Sequence, residues 1–379
     1  MKCIHCGTDA RLRERKDGRC PKCRHPFAFE PQTDPHRYTD EQFKKAIDRV
    51  SGDGKVRFTE RHLWYEVHRA WKSFRVVREA YIVAAPALVG AFPGFALAYV
   101  FSAPALLWVA AGGAVAMVGA EVFGTWRKNR REPPPVGPPR TPFEDFRQPL
   151  ARWVEVHGSI PGLLPPRREA AAAMPRKVPA DVAAFSFDRA VVTDRWETAQ
   201  TLVANRFHFE HNCAVLSRDG YPDGIADTVK EMLRRNPRLT VFALHDATPD
   251  GCRLPLDLRE PEWFPDPAVR IVDLGLRPNT VKRLRLFTLT GPAMPRPPLP
   301  EGMLAEEELA WLAQGNVGEL AALRPALAMR AAYRGIVAAG PGGGSGDASY
   351  AGDTHYYAGV VWLGDLGGSA DTAPVDGFG

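Results

Sequence analysis

Apolar and polar positions change rhythm along this chain. Near the start they recur at helical spacing. Thr39 and Gln42 make a capping box, and Phe43, Ile47 and Val50 then fall on one face of a helix running to Ser51. Gly52-Asp53-Gly54 ends it, a short extended piece follows, and Thr59 caps a second helix striped by Leu63, Val67, Ala70, Phe74 and Val77. Arg61, Tyr65, Arg69 and Lys72 share another face of that helix, so residues 38–79 read as a helix-turn-helix, winged-helix-like segment. From about residue 188 the rhythm differs. Short apolar or β-branched runs at 190–193, 213–217, 239–244 and 269–272 alternate with helical stretches. That alternation predicts an α/β, Rossmann-like domain with a mainly parallel sheet, placed at 143–335 with a helical carboxy-terminal part.

Between the two patterns no residue from 80 to 120 is charged, a run of 41 positions. One membrane helix needs about 20 apolar residues, so residues 80–126 predict a two-helix transmembrane hairpin turning near Ser102-Ala103-Pro104. Arg69, Lys72, Arg75 and Arg78 precede it, and Arg127, Lys128, Arg130 and Arg131 follow. Positive charge on both flanks predicts an inner-membrane protein with two spans and both termini cytoplasmic, the lipid bilayer being its first partner. The alternative is a helical hairpin buried inside a soluble domain. Residues 127–142 are proline-rich and read as a semi-rigid linker, and residues 336–379 as a disordered Gly/Ala-rich tail.

Charge sharpens the picture modestly. The formal net charge is +5, yet residues 1–80 hold 19 Lys/Arg against 12 Asp/Glu. A basic amino-terminal part suits an acidic partner, nucleic acid or an anionic lipid surface. Cysteine usage says more. Cys3, Cys6, Cys20 and Cys23 form C-x2-C-x13-C-x2-C, the spacing of a zinc ribbon at 1–30 in which four thiolates enclose a structural Zn2+. Gly7 supplies the positive φ a knuckle needs. Two redox CxxC pairs or disulfides are the other reading; no secretory signal precedes the cysteines. His5 and His25 stand beside the knuckles as bystanders.

In a parallel sheet, ligands bind beyond the carboxyl ends of the strands. Asp194, Asp246 and Asp250 fall at those ends and could gather as oxygen ligands for a divalent cation, or could be ordinary turn and cap residues. The stretch VVTDRWETAQTL at 191–202, the turn SRDGYPD at 217–223, Asp246-Ala247-Thr248-Pro249-Asp250-Gly251 and Asp273-Leu274-Gly275-Leu276 follow one another in order. In that order and spacing they resemble the toprim domain of the type IIB topoisomerase (topoisomerase VI) A subunit and the meiotic double-strand-break transesterase. Thr59-Glu60-Arg61-His62-Leu63-Trp64-Tyr65 resembles the family's winged-helix motif and places Tyr65 at its nucleophile. Thr248 stands where the family has the second Asp of DxD, and Asp194 where it has Glu.

The resemblance implies a Mg2+ site at Asp194, Asp246 and Asp250, DNA as partner, and a homodimer bringing each tyrosine to the other chain's metal. Helix-face contacts to phosphate would come from Arg61, Arg69 and Lys72. The expectation is a degenerate, membrane-anchored, zinc-binding member that binds nucleic acid or a phosphate ligand at the cytoplasmic membrane face; were it to cleave DNA with Mg2+, Tyr65 would be the nucleophile. The alternatives are a non-enzymatic membrane scaffold or sensor, and a metal-dependent nuclease.

Overall fold

A computed structural model of the chain describes residues 1–15, 17–69, 136–173, 187–236, 238–295 and 297–339. Four strands, β1 (Arg189–Thr193), β2 (Ala214–Ser217), β3 (Thr240–Leu244) and β4 (Arg270–Asp273), form a parallel sheet in the order β2-β1-β3-β4. Nearly every strand residue is buried, which is why the strands read as continuous apolar runs rather than alternating ones. The period of two still sorts them. Val191, Val215, Phe242 and Val272 face the larger core with the helices Trp196–Ala204 and Pro325–Ala338. Ala190, Val192, Ala214, Leu216, Val241, Ala243 and Ile271 face the second core, with Leu233, Leu254, Trp263 and Phe264.

The amino-terminal caps form as expected. Thr39 Oγ1 accepts the Gln42 N–H at 3.2 Å and opens the helix Asp40–Val50, and a second helix begins at residue 60 directly after Thr59. Phe43, Ile47 and Val50 are buried, Phe43 stacking on Phe146 and Trp153 of the helix Phe143–His157. The second helix differs from its reading as a half-exposed element. From His62 to Val67 every residue is buried, because one side meets residues 136–143 and another the segment 319–324.

Residues 1–67 and the described residues from Val136 onward form one compact unit. Of the other unit only His68 and Arg69 are described, both in the helix that begins at 60. Three expectations change accordingly. Residues 136–142 do not stand off as a spacer: the Trp64 indole N–H donates to Thr141 O at 2.8 Å, Tyr38 OH to Thr141 Oγ1 at 3.0 Å, and the Thr288 N–H to Val136 O at 3.0 Å. The start of the expected tail belongs to the fold, since the helix Pro325–Ala338 carries buried Ile336, and Ala339 is buried too.

The third is a correction. Among the described residues no helix is long and apolar enough to cross a membrane, so the two-span inner-membrane placement is not supported. The longest described helix with both ends defined, Phe143–His157, has 15 residues, about 22 Å against a hydrocarbon core of about 30 Å, and it carries charge throughout. The expected hairpin at 80–126 lies outside the described residues, as do residues 340–379.

Candidate functional site

Two chemically distinct centres emerge. The first is the cysteine cluster, built from two copies of one knuckle. The Gly7 N–H donates to Cys3 O and the Arg24 N–H to Cys20 O, both at 2.9 Å, while the Cys3 and Cys20 amides donate to Thr8 O and His25 O. Gly7 and Arg24 hold the equivalent left-handed position, with φ of 73° and 60°. The four Sγ atoms lie within 4.8 Å of one another, with Cys6–Cys20 at 3.5 Å and Cys3–Cys23 at 3.7 Å. A tetrahedron of thiolates about 2.3 Å from one ion has edges of about 3.8 Å, so the cluster is compatible with a structural metal ion such as zinc. Hydrogen bonding to Thr8 holds the Cys6 thiol down, to about 6. A backbone hydrogen bond from His25 lowers the Cys23 thiol, but burial and the neighbouring cysteines outweigh it and push that thiol up to about 12.

His5 and His25 do not join the ligands. His5 stacks on His25, and His25 on His157, whose Nε2 lies 2.8 Å from Asp40 Oδ2. Asp40, fully buried, also accepts the Ala28 and Phe29 amides at 3.0 Å and so ties the ribbon's exit to the first helix.

The second centre lies at the carboxyl ends of β1 and β3. The chain leaves β1 toward β2 on one side and β3 toward β4 on the other, so the gap between β1 and β3 is the switch point of the sheet. Asp194 follows β1, and Asp246 follows β3 by two residues. The Asp246 N–H donates to Asp194 Oδ2 at 3.0 Å, and Asp246 Oδ1 accepts the Leu320 N–H at 2.7 Å. Asp194 Oδ1 is buried with no hydrogen-bond partner among the described residues. Burial raises the pKa of both carboxyls, and the Asp194 charge raises that of Asp246 further. Burial and their mutual charge thus favour the protonated form in this pair.

Asp250 does not join them. Thr248 Oγ1 accepts the Gly251 N–H at 2.8 Å and Pro249 begins the helix Pro249–Asp257, which leaves Asp250 exposed in its first turn. Among the described residues the four cysteines are the only group of three or more His, Cys, Asp or Glu side chains placed to hold a metal. The three-carboxylate Mg2+ site is therefore not assembled, and the residues present do not fit that ion as a resident cofactor.

The sequence reading missed the third carboxylate beside the pair, Glu319. It accepts from Arg61 Nη1 on both oxygens (2.7 and 2.9 Å), from Tyr65 OH at 2.8 Å and from Arg195 Nη1 at 3.3 Å. Arg195 Nη1 also lies 3.9 Å from Asp246 Oδ2, joining the two groups. One signal was there to find: Glu319 is the only acidic residue between Glu308 and Asp347.

Tyr65 thus lies near the acidic pair of its own chain rather than a partner's, and as a structural donor to Glu319. It is fully buried, and burial with the Glu319 charge pushes its pKa well above that of an ordinary phenol. Arg61 is committed to Glu319 and lies 4.3 Å over the Phe143 ring, Arg69 is half-buried, and Lys72 lies outside the described residues. The expected basic face is not a free surface.

Two supports surround the edge. His245 has Nδ1 2.8 Å from Asp246 O and Nε2 3.0 Å from Asp273 Oδ1, so both ring nitrogens meet acceptors. Burial lowers its pKa, but the Asp273 carboxylate outweighs this and the net shift is upward, toward the imidazolium. Burial raises the Asp273 carboxyl, and His245 with Arg277 outweighs it, to about 2. The SRDGYPD turn is held by Arg167, which reaches Asp223 Oδ1 and Asp219 O at 2.9 Å, while Arg218 ties it to Asp257 at 3.2 Å.

No protein-family model matches this chain, and no curated protein or solved structure is significantly similar to it.

Proposed function

We propose that this chain is a zinc-containing, toprim-like protein that binds nucleic acid through phosphate and does not cleave it. The observation that carries the reading is the switch-point edge itself: a carboxylate pair, Asp194 and Asp246, with Arg195 reaching from Asp246 to Glu319 and Arg61 on Glu319, where sheets of this topology take their ligands. Cleavage would need a hydroxyl free to attack and enough carboxylates to hold Mg2+ against phosphate. Tyr65 is sealed and Asp250 stands apart, so neither condition is met.

Zinc bound by four cysteines leaves no open coordination position, so its part is to fold the ribbon. The ribbon surface is the natural polyanion contact in place of the helix face, with Lys2, Arg11, Arg13, Arg19 and Lys22 exposed.

The test is incubation of the zinc-loaded protein with supercoiled plasmid and Mg2+. The expected result is binding that weakens steeply with salt, no nicking and no covalent adduct, in wild type as in Tyr65→Phe. Charge reversal at Arg11, Arg13 and Lys22 should weaken binding. Nicking would make this a nuclease; absence of any binding would leave a protein-docking scaffold.

A further inference from the structure

The groups around Glu319 have the composition of an oxyanion site. Two guanidinium groups and a phenol converge on Glu319, with Arg195 shared between it, Glu197 and Asp246. The donors are also held in place by contacts other than Glu319. Arg61 lies over Phe143, and Arg195 forks onto Glu197 at 3.0 and 3.4 Å. The side chains of Arg61 and Arg195 are 21% and 33% exposed, whereas Glu319 is 5% exposed. The donors open to solvent; their present acceptor comes from the protein side.

Glu319 is delivered there by a strap. Ala247 and Gly318 exchange backbone hydrogen bonds at 2.8 and 3.1 Å, and the Leu320 N–H closes on Asp246. Farther along, Arg324 pairs with Glu66 at 2.9 Å on the helix that carries Arg61 and Tyr65. The strap thus lays a carboxylate across the carboxyl edge of β3, with Arg195 between it and Asp246. A phosphate group offers more acceptor oxygens and more charge to the same donors than one carboxylate does.

We propose that Arg61 and Arg195 form a phosphate-binding site and that Glu319 closes it from within. A phosphate group binds by displacing the Glu319 carboxylate, so the strap sets the apparent affinity of the edge. This rests on the reading of that edge as a phosphate site and adds how it is regulated. The phosphate could come from a nucleic-acid backbone or from a free anion, and the two give different results below.

The experiment compares the full-length zinc-loaded wild type with Glu319→Gln, titrating inorganic phosphate by calorimetry and a short DNA duplex by fluorescence anisotropy. Gln keeps the volume and removes the competing charge. Since a closed state reduces apparent affinity by the fraction that is open, the variant should bind inorganic phosphate about tenfold tighter or more. Adding Arg195→Met should abolish the gain. A gain for duplex but not for inorganic phosphate identifies the backbone as the source and also supports the lock.

A folded Glu319→Gln with no gain for either ligand overturns the lock. If that variant does not fold, Glu319→Asp, which keeps the charge and withdraws it by one methylene, takes its place, and no gain there overturns it equally. Wild-type duplex binding with no gain in the variants leaves the proposed function standing without the lock. Tighter inorganic phosphate with no duplex binding by any form keeps the lock and removes nucleic acid.

Discussion

Replacing Gly275 by alanine tests the architecture of the carboxyl edge at one atom. A Cβ at this position would fall well inside van der Waals contact of three atoms of the His245 ring, Nε2, Cδ2 and Cε1. The ring has nowhere to go. It is buried and fixed by bonds of 2.8 Å to Asp246 O and 3.0 Å to Asp273. The backbone is equally pinned: the Leu274 N–H donates to Ala243 O at 2.8 Å, the Gly275 N–H to Asp273 Oδ1 at 2.8 Å, and the Leu276 N–H to His245 O at 2.7 Å. Shifting the backbone costs about 1–3 kcal/mol by the usual measure of overpacking. Expelling the ring breaks a buried ion pair at about 3–5 kcal/mol.

The expected loss on Gly275→Ala is therefore about 3 kcal/mol, read as a lower urea midpoint with unchanged slope. The decisive comparison is a double-mutant cycle with His245→Ala. Removing the ring makes room for the methyl group, so the alanine should cost under about 1 kcal/mol in that background. Additive effects, or a loss below about 0.5 kcal/mol in the wild-type background, would refute the packing described for Gly275 and His245.

Other expectations follow from the same geometry. Cys20→Ser should remove one bound zinc per chain, measured by metal release to a colorimetric chelator, and should lower the melting temperature; unchanged metal content would exclude the four-cysteine site. Because the His245 pKa is raised in the folded state, its stabilisation is fully present below the ordinary histidine value near 6.5 and is lost as pH rises through the folded value. Wild type and His245→Gln should thus differ more in urea midpoint at pH 6 than at pH 9, and an equal difference at both would refute the charged assignment. Tyr65→Phe should cost about 1 kcal/mol, one hydrogen bond to a carboxylate that keeps two arginines, and should leave plasmid topology untouched. A plasmid-nicking activity lost with that hydroxyl would reverse the reading of Tyr65.

What could be read from the chain was local. The cysteine centre was legible because all its ligands lie within a few knuckle residues, and the caps at Thr39 and Thr59 because capping involves only the next turn. The four strands were legible because burial on both faces makes each a continuous apolar run. The site was half legible. Asp194 and Asp246 sit at strand ends, so the order of elements brings them together, whereas Asp250 is turned to solvent by the helix that Thr248 caps and Pro249 begins. Helical spacing put Arg61 on a polar face, but spacing cannot show that a distant segment carrying Glu319 covers that face. Nor could it show that residues 136–142 pack back rather than stand off.

The burial of the Tyr65 helix also bears on the order in which the molecule assembles. Its hydroxyl meets a carboxylate 254 residues later in the chain, while the metal-binding knuckles close on themselves within the first 25. On the ribosome the ribbon can therefore mature almost at once. The side of the helix behind it that meets residues 319–324 stays uncovered until nearly all of the sheet domain has emerged. That interval is when this protein has most need of a chaperone.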